Sequence, residues 1–251
     1  MNKYLKNLNK IEFVVTDACT GKCKHCSQGE HNSNNKLDTS LAADAVRKIA
    51  KEYNIKTVMT FGGEPLLCPE TVYSIHRAAM EMNIPKRQLI TNGYFSKSSN
   101  EIQLVARNLT ECGVNEILLS VDAFHQETVP IEYVIEFARA TNKEKITLKT
   151  QPAWLVSEKD NNPYNIKTRE ILDIFSCMGI ETGSGNVIFP SGNALKYLSE
   201  YFEKYGESKD PYKENPCDIR TVSFSANGDV LDGNIYKQDI LEILSAYYPK
   251  M

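Results

Sequence analysis

Cys19, Cys23 and Cys26 lie within eight residues at the spacing Cys-x3-Cys-x2-Cys. Three thiolates so placed wrap a compact metal centre only if the loop curls, and Gly21 between the first two supplies backbone freedom. Three ligands on a four-iron cube leave one iron open. A reactive centre needs that open position, whereas structural sites usually close every position with protein ligands. Lys22 and Lys24 offset part of the negative charge. A zinc knot completed by His25, His31 or Cys68 would use the same cysteines, since their spacing alone does not identify the metal. Seven cysteines, an odd number with three clustered, suit a metal in a reducing compartment better than a disulfide framework.

The elements that must hold this loop are legible as alternating β-rich runs and longer amphipathic segments, the pattern of parallel strands joined by helical crossovers. Strands are expected at 11–16, 57–61, 86–91, 116–121, 146–151 and 186–189. Helices are expected at 40–53, 69–82, 99–112, 131–141, 165–178 and 192–204, with cap signals at Asp38 to Ser40, Ser99/Asn100 and Gly113. Six βα units imply an α/β fold, a partial (β/α)6 TIM-like barrel. Barrel chemistry sits on loops at the C-terminal ends of strands. The cysteine loop follows strand one, Gly62-Gly63-Glu64-Pro65 follows strand two, and Thr91-Asn92-Gly93 follows strand three. Ser120 and Asp122 close strand four, and Lys149 and Gln151 lie at the end of strand five. Five successive strand ends would therefore converge on one rim.

Cys19, Cys23, His25 and Cys26 together resemble the signature Cys-x3-Cys-x-aromatic-Cys of the radical S-adenosylmethionine (SAM) superfamily, with His25 at the aromatic position. The resemblance implies a [4Fe–4S] cluster whose open iron is chelated by the amine and carboxylate of SAM. One-electron reduction would then yield methionine and a 5′-deoxyadenosyl radical that abstracts hydrogen from a substrate. Gly62 to Pro65 resembles the family's GGEP run, which contacts the methionine amine; an ordinary tight turn after a strand is the alternative. Asn92, Ser120 and Asp122 resemble strand-end positions that face the cofactor ribose and carboxylate, although turns and caps use the same residue types. Lys149 and Gln151 are expected at the cofactor on position alone. Ser120 to Glu127, SVDAFHQE, is similar to a subgroup with Asp-x-Phe-His after strand four. His125 there could touch SAM or substrate, act in acid/base chemistry, or be a hydrogen-bonded structural residue. FPSGNA, residues 189–194, resembles a strand-six loop in which an arginine stands where Asn193 does; a helix N-cap is the alternative.

After Tyr205 the texture changes to a polar linker, and TVSFSANGDVL reads as a hairpin closed at Asn227-Gly228, followed by a helix over 237–247. The expected division is residues 1–205 as the partial barrel and 206–251 as linker plus hairpin-helix extension. Cys217 and the segment after it resemble the opening of the SPASM and twitch extensions, but one cysteine cannot assemble an auxiliary cluster. A truncated, cluster-free extension is expected, with Cys217 as a possible hydrogen-atom donor. Cys68, Cys112 and Cys177 are expected as small buried hydrophobes.

A chain of 251 residues, 41% hydrophobic, can bury one sizeable core. Its net charge of −3 offers no basic excess, which disfavours nucleic acid as a partner. No secretory signal or bilayer-length apolar run occurs, so a cytoplasmic protein without membrane contact is expected. The expected partners are a small-molecule or peptide substrate and an electron donor such as flavodoxin or ferredoxin. No leader-peptide-binding domain is expected before strand one, so a separate substrate-recognition protein is also among the expected partners. A non-catalytic Fe–S or zinc-binding sensor is the competing functional class.

Overall fold

The computed structural model describes residues 2–30, 33–206 and 208–250. In chain order the strands are β1 (Lys10–Val14), β2 (Thr57–Phe61), β3 (Lys86–Thr91), β4 (Glu116–Leu119), β5 (Thr147–Thr150), β6 (Ala153–Trp154), β7 (Glu181–Thr182), β8 (Asn186–Val187), β9 (Thr221–Phe224), β10 (Asp229–Val230) and β11 (Gly233–Asn234). The α-helices are α1 (Thr39–Glu52), α2 (Pro69–Glu81), α3 (Ser99–Glu111), α4 (Ala123–Gln126), α5 (Ile131–Lys143), α6 (Pro163–Ser176), α7 (Gly192–Tyr197), α8 (Ser199–Tyr205) and α9 (Ile240–Ala246). One parallel sheet of seven strands in the order β7-β5-β4-β3-β2-β1-β9 carries the fold, and it does not close. This is the α/β, partial TIM-like barrel that the alternation implies.

Local chemistry explains the elements. Asp38 caps α1, its carboxylate accepting from the Ser40 and Leu41 N–H groups, and Ala42, Val46 and Ile49 fall on one face at helical spacing. That face packs beside α2 (Val72, Ile75, Ala79) over the strand residues Ile11, Phe13 and Val58, in one continuous apolar core. α3 starts at the Ser98 cap, one residue before the expected signal, because the Ser98 hydroxyl accepts from the Glu101 N–H. A second core of Phe124, Ala153, Leu155, Ile188, Ala194, Leu198 and Phe202 lies beyond β5.

The second core accounts for most departures from the expected layout. The strand expected at 186–189 is not in the main sheet; Glu181–Thr182 takes the place beside β5, and β8 pairs with β6 in a two-stranded ladder. Ile188 is drawn into the second core and its N–H donates to Trp154 O, so the chain leaves the sheet edge. The helix expected over 192–204 breaks at Leu198, which is buried in the same core.

The tail also differs. Residues 221–224 do not form a hairpin arm. They join the main sheet as β9, parallel to β1 in the register Lys10↔Thr221 to Phe13↔Phe224. The turn at Asn227-Gly228 is present, but the antiparallel ladder after it is β10 with β11. The Phe13 and Phe224 rings stack at 4.7 Å, both fully buried, which fixes the extension to the barrel's first strand. Cys112 is buried as expected and Cys68 is half-buried, whereas Cys177 at the end of α6 is exposed. Among the described residues no helix is long and apolar enough to cross a membrane.

Candidate metal and cofactor site

The cysteine loop leaves β1 and is gripped by the ends of the next three strands. Gly62 and Gly63 follow β2 and press directly on it: the Gly63 N–H donates to Thr16 O at 2.7 Å, and the Glu64 N–H to Ala18 O at 2.8 Å. A Cβ on Gly63 would stand 2.1 Å from Ala18 O, and Gly62 has φ +143° with the Thr16 carbonyl 2.6 Å from any added Cβ. The backbone these glycines approach is therefore the start of the cysteine loop itself.

Glu64 is fully buried, and three donors hold its carboxylate. The Thr91 hydroxyl (2.7 Å) and Leu66 N–H (3.0 Å) reach Oε1, and the Asn92 N–H (2.8 Å) reaches Oε2. Burial pushes this carboxyl up to about 7 against those hydrogen bonds. Glu64 thus ties the end of β2 to the end of β3. The tie orients Asn92, whose amide donates to Thr20 Oγ1 at 3.1 Å and approaches Cys19 Sγ at 3.7 Å.

The segment after β4 covers the other side. Lys22 N–H donates to Thr128 Oγ1 at 3.0 Å, Lys24 pairs with Glu127 at 3.1 Å, and Val129 packs beside Gly21. Asp122, fully buried, caps α4 through the Phe124 and His125 N–H groups and receives the Ala153 N–H at 3.0 Å. Its Oδ2 lies 2.7 Å from His125 Nδ1. Burial works to raise Asp122, but His125 outweighs it and holds the carboxyl well below the usual range. The His25 ring lies 4.7 Å from that of His125 and 5.1 Å from that of Phe124. Burial lowers His25 to about 4.

A fourth brace comes from the loop before α7. Asn193 donates its amide to Cys23 O at 3.1 Å and its backbone N–H to Cys26 O at 2.9 Å, and Ser191 Oγ donates to Ser27 O. Ser191 stands at the N-cap of α7 without capping it through its side chain. The sequence pattern offered a helix cap, or a site where Asn193 replaces an arginine, at this position; Asn193 and Ser191 here hold the cysteine loop.

The donor set fits an iron–sulfur cluster. Burial pushes the Cys19 thiol up to about 11, with the nearby charges of Glu64 and Cys26 adding to it, and raises Cys23 further, with Asp122, Cys19 and Cys26 adding to burial. Desolvated sulfurs that raise one another are stable as thiolates only around a cation. The Gly21 N–H donates to Cys19 Sγ at 3.3 Å, and a Cβ at Gly21 would crowd Cys23 Sγ at 3.3 Å.

The other expected site residues make their contacts elsewhere. Lys149 pairs with Glu181 at 3.2 Å across β5 and β7, and Gln151 Oε1 lies against Gly183, so neither interaction reaches the cysteine loop. Ser120 is half-buried, and its N–H extends the ladder to Thr91 O. Cys217 is exposed and precedes β9, near Tyr4 and Tyr247, at the N-terminal ends of the strands. β1, five residues long, separates that end from the cysteine loop by about 17 Å at roughly 3.3 Å per residue. That geometry removes Cys217 as a hydrogen donor at the site. His31 lies outside the described residues; Cys68, at the N-cap of α2, follows the Glu64 turn. Thr91, Glu127, Thr128 and Asn193 are contributors that residue type alone did not single out for this loop; the Thr91-Asn92-Gly93, SVDAFHQE and FPSGNA runs were the available pointers to Thr91, Glu127 and Asn193.

An open parallel α/β barrel with a cysteine loop at the C-terminal end of its first strand defines a metallocentre enzyme of the partial-barrel class. The family model described as the radical SAM superfamily matches residues 13–151, and the chain belongs to that superfamily. It is a SAM-cleaving radical enzyme, with a [4Fe–4S] cluster and SAM as its cofactors. A probable GTP 3′,8-cyclase of Saccharolobus solfataricus is 24% identical over 223 residues, which cover 83% of this chain and 69% of that protein. Among solved structures, Streptococcus suis SuiB bound to S-adenosylmethionine has a TM-score of 0.63 at 14% identity, covering 96% of this chain and 66% of that one. Native anSMEcpe with bound AdoMet and Cp18Cys peptide has a TM-score of 0.59 at 15% identity, covering 95% and 80%. At these identities the structures share the fold.

Proposed function

We propose that Cys19, Cys23 and Cys26 ligate the [4Fe–4S] cluster and that the ends of β2 to β4 form the wall against which SAM lies, within a barrel unit of residues 1–205. When bound, the cluster and SAM together supply reductive cleavage to methionine and a 5′-deoxyadenosyl radical, which takes a hydrogen atom from the substrate. The chain's own residues prepare that event. Gly62 and Gly63 let the turn after β2 lie against the loop. Glu64 fixes Thr91 and Asn92, and a carboxylate so desolvated is poised to attract the SAM ammonium group. Asn92 and the Gly21 N–H stabilise charge on Cys19, and Asp122 fixes His125 in one orientation beside His25.

The observation that carries this reading is the convergence of four separate strand-end or loop segments on the cysteine loop by direct hydrogen bonds. The substrate is a small molecule or a peptide. The named cyclase relative supports the first and the peptide-bound neighbour the second. An acidic one-electron donor of the flavodoxin or ferredoxin type, a reducing cytoplasmic setting and a separate recognition protein for a peptide substrate complete the proposal. The extension, residues 206–251, acts as a structural cover of the barrel edge. The deciding experiment is anaerobic reconstitution followed by SAM and dithionite. Formation of 5′-deoxyadenosine by the wild-type chain, and its loss in Cys23→Ala, is the expected result.

A further inference from the structure

The half-buried group that the cofactor reading uses least is His125. Its Nδ1 is committed to Asp122 at 2.7 Å, which leaves the other ring nitrogen as the one to meet a ligand. Asp122 is itself held by the Phe124, His125 and Ala153 N–H groups, so the pair is rigid. A carboxylate behind a histidine is the usual support of a metal-ligating imidazole. Two further donors stand in front of it. Cys23, His25 and His125 each offer one ligand atom, and the three atoms lie within 4.8 Å of one another. His25 Nδ1 is buried and has no hydrogen-bond partner.

We infer that, in the cluster-free chain, Cys23, His25 and His125 form a second metal site for zinc, with one thiolate, two imidazoles and a fourth position open to water. A tetrahedral zinc with Zn–S near 2.3 Å and Zn–N near 2.1 Å sets its ligand atoms roughly 3.5 Å apart, so the three close by about an ångström on binding. The exchange is balanced: zinc enters as the dication, the Cys23 S–H bond breaks, the Zn–S bond forms, and one proton leaves to solvent. No oxidant or reductant takes part. Among the described residues Cys23 is the one cysteine that shares a set with the two histidines, and one thiolate with two imidazoles suits zinc. Because Cys23 belongs to both sets, the two occupancies exclude each other, and zinc holds the cluster-free chain in a state that iron must displace.

The test uses the full chain, stripped of iron and kept under argon, titrated with Co(II) as optical probe and then with Zn(II). The expected result is one Co(II) per chain with a sulfur-to-cobalt charge-transfer band, displaced by one equivalent of zinc. His125→Gln and His25→Ala each weaken binding by about tenfold or more, while Cys19→Ala and Cys26→Ala leave it unchanged. The two histidine variants separately guard against a folding defect in either, with circular dichroism checked for each. Absence of stoichiometric binding would overturn the proposal, as would loss of the band in Cys19→Ala or Cys26→Ala, or unchanged affinity in both histidine variants. None of these readouts depends on SAM cleavage, so the proposed function and the zinc site stand or fall separately.

Discussion

Glu64 shows why a residue's type announces chemistry before its partners are known. The Gly-Gly-Glu-Pro run pointed to the cofactor, but the carboxylate's three internal donors could not be read from sequence because Thr91 and Asn92 arrive from another strand. Glu64→Gln replaces one accepting oxygen with an NH2 group and strands a buried donor, so we expect a loss of about 1–3 kcal/mol in urea unfolding of the cluster-free chain. SAM affinity should fall as well, seen by titration with EPR of the reduced cluster, while iron content stays at four per chain by the cluster type. His76 gives a separate expectation in pH. It is fully buried against Thr60 at 2.9 Å, and burial lowers it from 6.5 to about 3. The folded chain keeps this ring neutral where the unfolded chain binds a proton. Its contribution is therefore present above pH 6.5 and lost as pH falls towards about 3, at up to about 1.4 kcal/mol per pH unit. Urea unfolding at pH 7 and pH 5 should show a smaller acid loss in His76→Gln than in wild type; equal losses would contradict the assignment.

Elements were legible where periodicity and caps agreed. β2 and β3 match the expected 57–61 and 86–91, and α1 begins at its Asp38 cap. They were not legible where tertiary packing chose between partners: β8 satisfies its N–H groups from β6 because Ile188 belongs to the second core, and a two-residue strand at Glu181–Thr182 carries no periodic signal at all. The loops joining these elements hold the site together, and the tightest contact is at Gly63. Gly63→Ala places a Cβ on the Ala18 carbonyl, a backbone atom that moves only with the cysteine loop. Iron and sulfide per chain after reconstitution should fall well below wild type, whereas Cys177→Ala, exposed at the end of α6, should load fully. Full loading of Gly63→Ala would show that the turn and the loop are independent.

At the scale of the molecule, the extension is fastened to the barrel's edge by β9, which pairs with β1. The alternating TVSF run announced a strand, but nothing in it distinguished a hairpin arm from a sheet edge. The stacked Phe13 and Phe224 rings decide for the edge. The Asn2 side chain also donates to Leu244 O at 3.0 Å and Tyr247 O at 2.7 Å, so the two ends of the chain are tied together. Phe224→Ala should cost about 3–5 kcal/mol in urea unfolding, and a cost below about 1 kcal/mol would mean that β9 contributes little. The barrel class, the cysteine loop and the first strand-end motifs were readable because they are local in sequence. The grip on the loop from Thr128 and Asn193 was not, because each arrives over more than a hundred residues. Reconstitution of the full chain under argon, with iron, sulfide and 5′-deoxyadenosine measured on the same sample, is the most direct test of the whole. The expected result is four iron and four sulfide per chain, SAM cleavage with dithionite, and loss of both in Cys19→Ala, Cys23→Ala and Cys26→Ala but not in Cys217→Ala. A cluster that survives the triple replacement, or a fully loaded wild-type chain that leaves SAM intact, would contradict it.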